Sequence, residues 1–202
     1  MKTLIWITLQ VGALVVSCFS QGRVIFDNVS PGLSPVTIRT NAGTFNPSDG
    51  PPGAYVGSSY TATLVFVNGT ITEQSIFDAS NPIWVADALF FGTTGNGSDG
   101  AGLFDGGIPT LVGRTSDIVT FQVWSWFNGS GQYTSYSQSL AAGHNVGVSV
   151  LMPLTVTLPP GPAGPLTGLK PFAVGIPEPS SASLILLGIL SLGIFRRRLK
   201  NK

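Results

Sequence analysis

One cysteine, Cys18, and one histidine, His144, occur among 202 residues. Cys18 lies inside an apolar N-terminal stretch with the layout of a removable leader, so the delivered chain has no cysteine. That excludes a disulfide framework and any Cys-based metal site, and leaves stability to packing. Charge is scarce too, with only 9% Asp, Glu, Lys and Arg. Between Gln21 and Gly175 there are eight acids (Asp27, Asp49, Glu73, Asp78, Asp87, Asp99, Asp105, Asp117) and four bases (Arg23, Arg39, Arg114, Lys170), a net −4. The whole-chain +1 conceals this mildly acidic middle, because both ends carry the basic residues. With no basic patch, a nucleic-acid partner is excluded. Also missing is any sustained 3.6-residue periodicity, and with it any long amphipathic helix.

Both ends of the chain read as targeting segments. Residues 1–20 contain Lys2, an apolar core from Leu4 to Val16 and small residues at Ser17 and Ser20, the arrangement of a secretory signal peptide cut after Ser20. A rival cut follows from Val15-Val16-Ser17-Cys18, which resembles a lipoprotein signal with Cys18 as the lipidated residue. At the other end stand Pro177, Glu178 and Pro179, then an uncharged run from Ala182 to Phe195, then Arg196, Arg197, Arg198, Lys200 and Lys202. As a helix that run covers about 21 Å, short of the roughly 30 Å of a bilayer core. Counting from Pro177 to Arg196, around a transmembrane helix over about 181–195 and with Arg side chains reaching to the interface, brings it closer. The basic tail, residues 196–202, places that end in the cytoplasm and the preceding domain outside.

The order Ile176-Pro-Glu-Pro-Ser180, short apolar helix and terminal Arg cluster resembles the PEP-CTERM sorting signal of Gram-negative bacteria. The resemblance covers residues 176–202 and no more. It implies export across the inner membrane through the secretion translocon and signal peptidase. It further implies recognition and cleavage by an exosortase-like membrane enzyme, transient or permanent anchoring by the C-terminal helix, and delivery to the cell surface or extracellular matrix. Carriers of such signals are often associated with exopolysaccharide, which makes exopolysaccharide a candidate partner.

The residues in between read as all-β. Val24–Phe26, Tyr60–Val67, Ala88–Phe91, Ile118–Phe127 and Val146–Leu151 are runs rich in β-branched and aromatic residues, bounded by Gly, Asn, Ser and Pro. No helix is expected beyond one turn within Ser80–Phe90. Asn68-Gly69, Asn96-Gly97 and Asn128-Gly129 supply tight-turn residues. These signals predict a single domain over residues 21–157, an antiparallel sandwich or jelly-roll-like fold, with barrel closure left open. Residues 158–175, rich in Pro and Gly, are expected to be a semi-rigid connector, with Gly168–Val174 as a final edge strand.

Candidate sites are few. Along Ile118–Phe127 alternation puts Val119, Phe121, Val123, Ser125 and Phe127 on one face and Thr120, Gln122, Trp124 and Trp126 on the other. Trp124 and Trp126 are either an aromatic platform for sugar rings or filling for a second covered face, which costs less to explain. The loop Gly92–Gly107 offers Asn96, Asp99 and Asp105 as oxygen ligands for calcium, without the spacing of a known calcium loop; solvated turn residues account for it as well. His144 has no partner motif and no serine lies in a Gly-x-Ser-x-Gly elbow, so no catalytic residue, cofactor or firm metal site is assigned. Asp27, Asp87 and Asp117 are unassignable from sequence, and the sequons at Asn28, Asn68, Asn96 and Asn128 mostly coincide with turns. The expected function is a structural or binding component of the cell surface or matrix, not an enzyme. The alternatives are a secreted carbohydrate-active enzyme and a permanently anchored membrane protein.

Overall fold

The structure is a computed structural model and describes residues 21–176, apart from 31, 41–44, 96 and 158–159. The leader, the Pro177-Glu178-Pro179 motif, the apolar segment, the basic tail and Asn96 lie outside the described residues. No helix among the described residues is long and apolar enough to cross a membrane.

The chain is mostly β and is organised around a five-stranded antiparallel sheet. Its centre is β5 (Ile118–Phe127), flanked along its whole length by β3 (Tyr60–Asn68) and beyond that by β4 (Ile83–Leu89). The other edge of β5 is shared by two short strands. β7 (Met152–Thr155) pairs with its first half and β6 (Val146–Val148) with its second. At the junction Ser149 keeps the ladder continuous: its N–H donates to Val123 O and its Oγ accepts from Val123 N, at 2.8 and 3.0 Å. Both β3 and β5 are central, and both are buried on two faces. On β5, Val119, Phe121 and Val123 are buried, and so are Thr120 and Gln122.

The inner face of this sheet packs on a second layer made of short strands and loops. β1 (Val24–Ile25) pairs with β8 (Gly164–Pro165), and β2 (Val36–Ile38) with β9 (Phe172–Val174); both pairings are parallel. Phe26, Ile38, Leu64, Phe121, Leu166 and Val174 are among the side chains that form the single core between the layers. The Pro-rich stretch expected as a connector is therefore corrected: from Gly164 onward it is part of the second layer, with Leu166 and Leu169 buried. The final strand expected within Gly168–Val174 is present as β9, and the layer is tied to the main sheet through the bridge Val146–Gly175.

Two six-residue helices, not expected from the sequence, cover parts of the outer face. α1 (Gln74–Ala79) buries Phe77 outside the main core and exchanges side-chain hydrogen bonds with Gln122 on β5. α2 (Tyr136–Ala141) starts at Ser135, whose Oγ accepts from Gln138 N, while Gln138 Oε1 accepts from Thr134 N. This is the reciprocal cap of a Ser-x-x-Gln start, shifted by one residue on the return bond. Tyr136 then meets Trp124 with ring centroids 5.3 Å apart. Ser80–Phe90, expected to hold a helical turn, is mostly the strand β4 instead.

Candidate functional site

Between α1, α2 and β4 the outer face of the sheet is left open as a groove. Its floor is Thr63, Val65, Trp124 and Trp126, and its far wall is Trp84 and Asp87. Trp84 and Asp87 are three residues apart, so regular alternation would put them on opposite faces. A β-bulge prevents this. Leu64 pairs with Ala86 but Val65 pairs with Trp84, leaving Val85 as the extra residue. The insertion reverses the phase of β4, and both side chains point outward. Trp84 Nε1–H donates to Asp87 Oδ1 at 3.0 Å, and the Thr63 hydroxyl donates to the same oxygen. Asp87 Oδ2 has no hydrogen-bond partner among the described residues.

This cavity has a volume of about 230 Å³. It shares Asp87, Trp126 and Thr134 with a second cavity of about 630 Å³, walled by Asn128, Ser130 and Tyr133. At its opposite end it shares Trp124, Tyr136 and Pro82 with a third, of about 350 Å³, which Asp78 and Gln74 also line. The three adjoin through these shared residues and are together termed the furrow. Its parts fall in or near the range of small-ligand sites, about 300–1,000 Å³. Trp84 is 62% exposed, an unusual state for the largest side chain. Trp126 is a buried part of the furrow floor and its Nε1–H donates to Tyr133 O at 3.4 Å. Trp124 is half-buried, with its Nε1–H donating to Gln122 Oε1 at 2.7 Å. The two residues singled out in the sequence thus divide the two readings: Trp126 mainly fills, and Trp124 presents part of its ring.

Burial holds the Tyr136 phenol above its ordinary value; Asp78 adds to the rise and Arg39 opposes it. Tyr136 therefore stays neutral and can donate a hydrogen bond throughout the physiological range. Tyr133, on the second cavity, is fixed from behind. Its O–H and His144 Nε2 are 2.9 Å apart, and His144 Nδ1 lies 2.7 Å from Asp49 Oδ1. With the Asp49 carboxylate accepting from Nδ1–H, a neutral imidazole presents Nε2 as the acceptor for the Tyr133 hydroxyl. The other Asp49 oxygen accepts from Asn145 N at 2.7 Å, and Phe127 stacks on the imidazole at 4.9 Å. His144, expected as a loop residue, does lie in the loop between α2 and β6, and it is the middle member of an Asp-His-Tyr chain. Tyr60, also in this cluster, is held well above the usual tyrosine range by burial, with the Asn145 hydrogen bond opposing and Asp49 reinforcing.

The remaining sequence candidates serve turns. Asp99 accepts from Thr93 N and Ala101 N, and Asp105 from Gly107 N. No group of three or more His, Cys, Asp or Glu side chains among the described residues could hold a metal ion. Asp27 accepts from Val29 N and Ser30 N, and Asp117 pairs with Arg114 at 2.8 Å. Asn28 and Asn128 are buried and hydrogen-bonded to backbone, so their sequons are not surface sites. No family model, curated protein or solved structure matches this chain.

Proposed function

We propose that this chain is an exported, sandwich-like binding protein of the cell surface or extracellular matrix, and that it holds a polysaccharide along the furrow of its outer sheet face. The observation that carries this reading is the bulge at Val85, which brings Trp84 and Asp87 onto the face occupied by Trp124. An exposed indole next to a half-buried one and a phenol, with the Asp87 carboxylate in the same opening, suits pyranose rings. Such rings offer apolar faces to aromatics and hydroxyls to the polar groups between. Sorting through Pro177, Glu178 and Pro179, removal of the tail by an exosortase-like enzyme, and passage through translocon and signal peptidase complete the proposal. The basic cluster Arg196, Arg197, Arg198, Lys200 and Lys202 would hold the precursor in the membrane until then.

Binding is favoured over hydrolysis because the two openings that meet at Trp126 present one carboxylate, Asp87, where glycoside hydrolysis commonly uses a pair, and the other carboxylate of the furrow, Asp78, lines only the opening beyond Tyr136. The test is affinity electrophoresis of the detergent-solubilised chain through gels containing exopolysaccharide from the native host. Retardation is expected, and Trp84→Ala should weaken it by about threefold to tenfold, the equivalent of roughly 0.5–1.5 kcal/mol for one aromatic contact. Unretarded migration would refute the proposal, and release of reducing ends would replace it with the enzymatic alternative.

A further inference from the structure

We infer that the furrow selects a polysaccharide carrying free amino groups, an inference that rests on the glycan-binding reading above. Three observations converge on a cationic ligand. First, Asp87 is a positioned carboxylate: Trp84 and Thr63 hold Oδ1, while Oδ2 is left with no partner among the described residues. Second, Trp84, Trp124 and Tyr136 line the same opening, and aromatic rings attract an ammonium group through the negative faces of their π-systems. Third, no Lys or Arg lines any of the three connected cavities, and a second carboxylate, Asp78, lines the end beyond Tyr136. Arg39 influences Tyr136 but lines none of the three. Arg23 lines a separate cavity beside β8, and Arg114 is paired with Asp117.

A uronic-acid polymer would bring like charge to Asp87 and Asp78 with no cation to receive it. A fully acetylated amino sugar would leave Asp87 Oδ2 without an ionic partner. An amino sugar with its nitrogen protonated supplies both the charge for Oδ2 and a ring face for the neighbouring indoles. The recognition is then a carboxylate–ammonium hydrogen bond flanked by aromatic contacts, repeated as the chain of sugars passes along the furrow.

The experiment is titration of the detergent-solubilised full chain, by tryptophan fluorescence at constant ionic strength and mildly acidic pH, with hexamers of glucosamine, N-acetylglucosamine and a uronic acid. The glucosamine hexamer should bind at least tenfold tighter than either other. Asp87→Asn should remove that preference, Asp87→Glu should retain most of it, and both variants should melt as the parent does, since Asp87 is exposed. Equal binding of the glucosamine and N-acetylglucosamine hexamers would overturn the amine selectivity and leave the glycan furrow standing. Failure of all three to bind would overturn the amine selectivity, and the glycan furrow itself falls only if the host exopolysaccharide also fails to retard the chain. A lysine hexamer binding as tightly as the glucosamine hexamer would also overturn the inference, because the furrow would then read charge without the sugar.

Discussion

Removing the Asp49 carboxylate should be among the most damaging single changes outside the apolar core. Its side chain is fully buried and that of His144 is only 17% exposed. It accepts two short bonds, from His144 Nδ1–H and Asn145 N–H, each 2.7 Å. Bonds to a charged acceptor contribute about 1.5–3 kcal/mol each, and in Asp49→Ala both donors are left buried without it. The expected loss is about 3–5 kcal/mol. For a domain of this size each kcal/mol lowers the melting temperature by about 2–4 °C, so a drop of about 6–20 °C should be seen by circular dichroism of the detergent-solubilised chain. Asp117→Ala is the control. Asp117 is also ion-paired, but its side chain is 86% exposed, and the buried Arg114 it pairs with keeps the Val156 carbonyl as an acceptor at 3.3 Å, so its loss should cost clearly less than that of Asp49. Asp49→Asn should fall between, because the amide can satisfy Asn145 N–H with its oxygen only by presenting its NH₂ to His144. That forces the imidazole proton onto Nε2 and turns the Tyr133 hydroxyl around, a change visible in the ring nitrogen chemical shifts. If Asp49→Ala melts within about 1 kcal/mol of Asp117→Ala, the Asp-His-Tyr chain is not the anchor described here.

Three further outcomes are expected. In Gly147→Ala the new Cβ would lie 2.6 Å from Ala173 O and 3.0 Å from Val174 Cα, both backbone, so β9 must shift. A loss of about 1–3 kcal/mol and faster amide exchange at Gly175 should follow, and unchanged exchange would contradict the packing. Raised Tyr60 and Tyr136 pKa values mean that the folded chain keeps protons which the unfolded chain releases above about pH 10, so stability is full below that point and falls as pH rises further. Absorbance at 295 nm should show a late-titrating tyrosine component that Tyr60→Phe diminishes, and the same substitution should flatten the alkaline decline; the absence of any late component would refute the burial argument. Replacing Glu178 and Pro179 together by Ala should leave uncut precursor in the membrane of the native host, and equal processing of variant and parent would discard the sorting motif.

Long elements were legible in the sequence because β3 and β5 are central strands with continuous apolar and β-branched runs. β7 and β8 were not, since Pro153 and Pro165 interrupt them and each owes its place to a distant partner. α1 offers no sequence signal, with Glu73 making no side-chain cap. α2 does, in Ser135-Tyr136-Ser137-Gln138, but six residues are too few for periodicity to show. The furrow was half legible. Alternation correctly put Trp124 and Trp126 on one face, yet what covers Trp126, and the reversal of phase at Val85 that adds Trp84 and Asp87, depend on strand pairing. The pairing of Asp49 with His144 joins residues 95 apart in the chain, beyond any local pattern.

The parallel pairs of the second layer have a consequence for how the chain matures. β1 cannot complete its ladder until Gly164 arrives, nor β2 until Phe172. The first strands to emerge must therefore wait for nearly the last. Closing such distant contacts is slow, because loop entropy is lost before packing rewards it. Under the export route proposed above, a chain threading a translocon would remain unclosed until almost all of it had crossed. The fold would lock only after delivery, on the side of the membrane where it is to act.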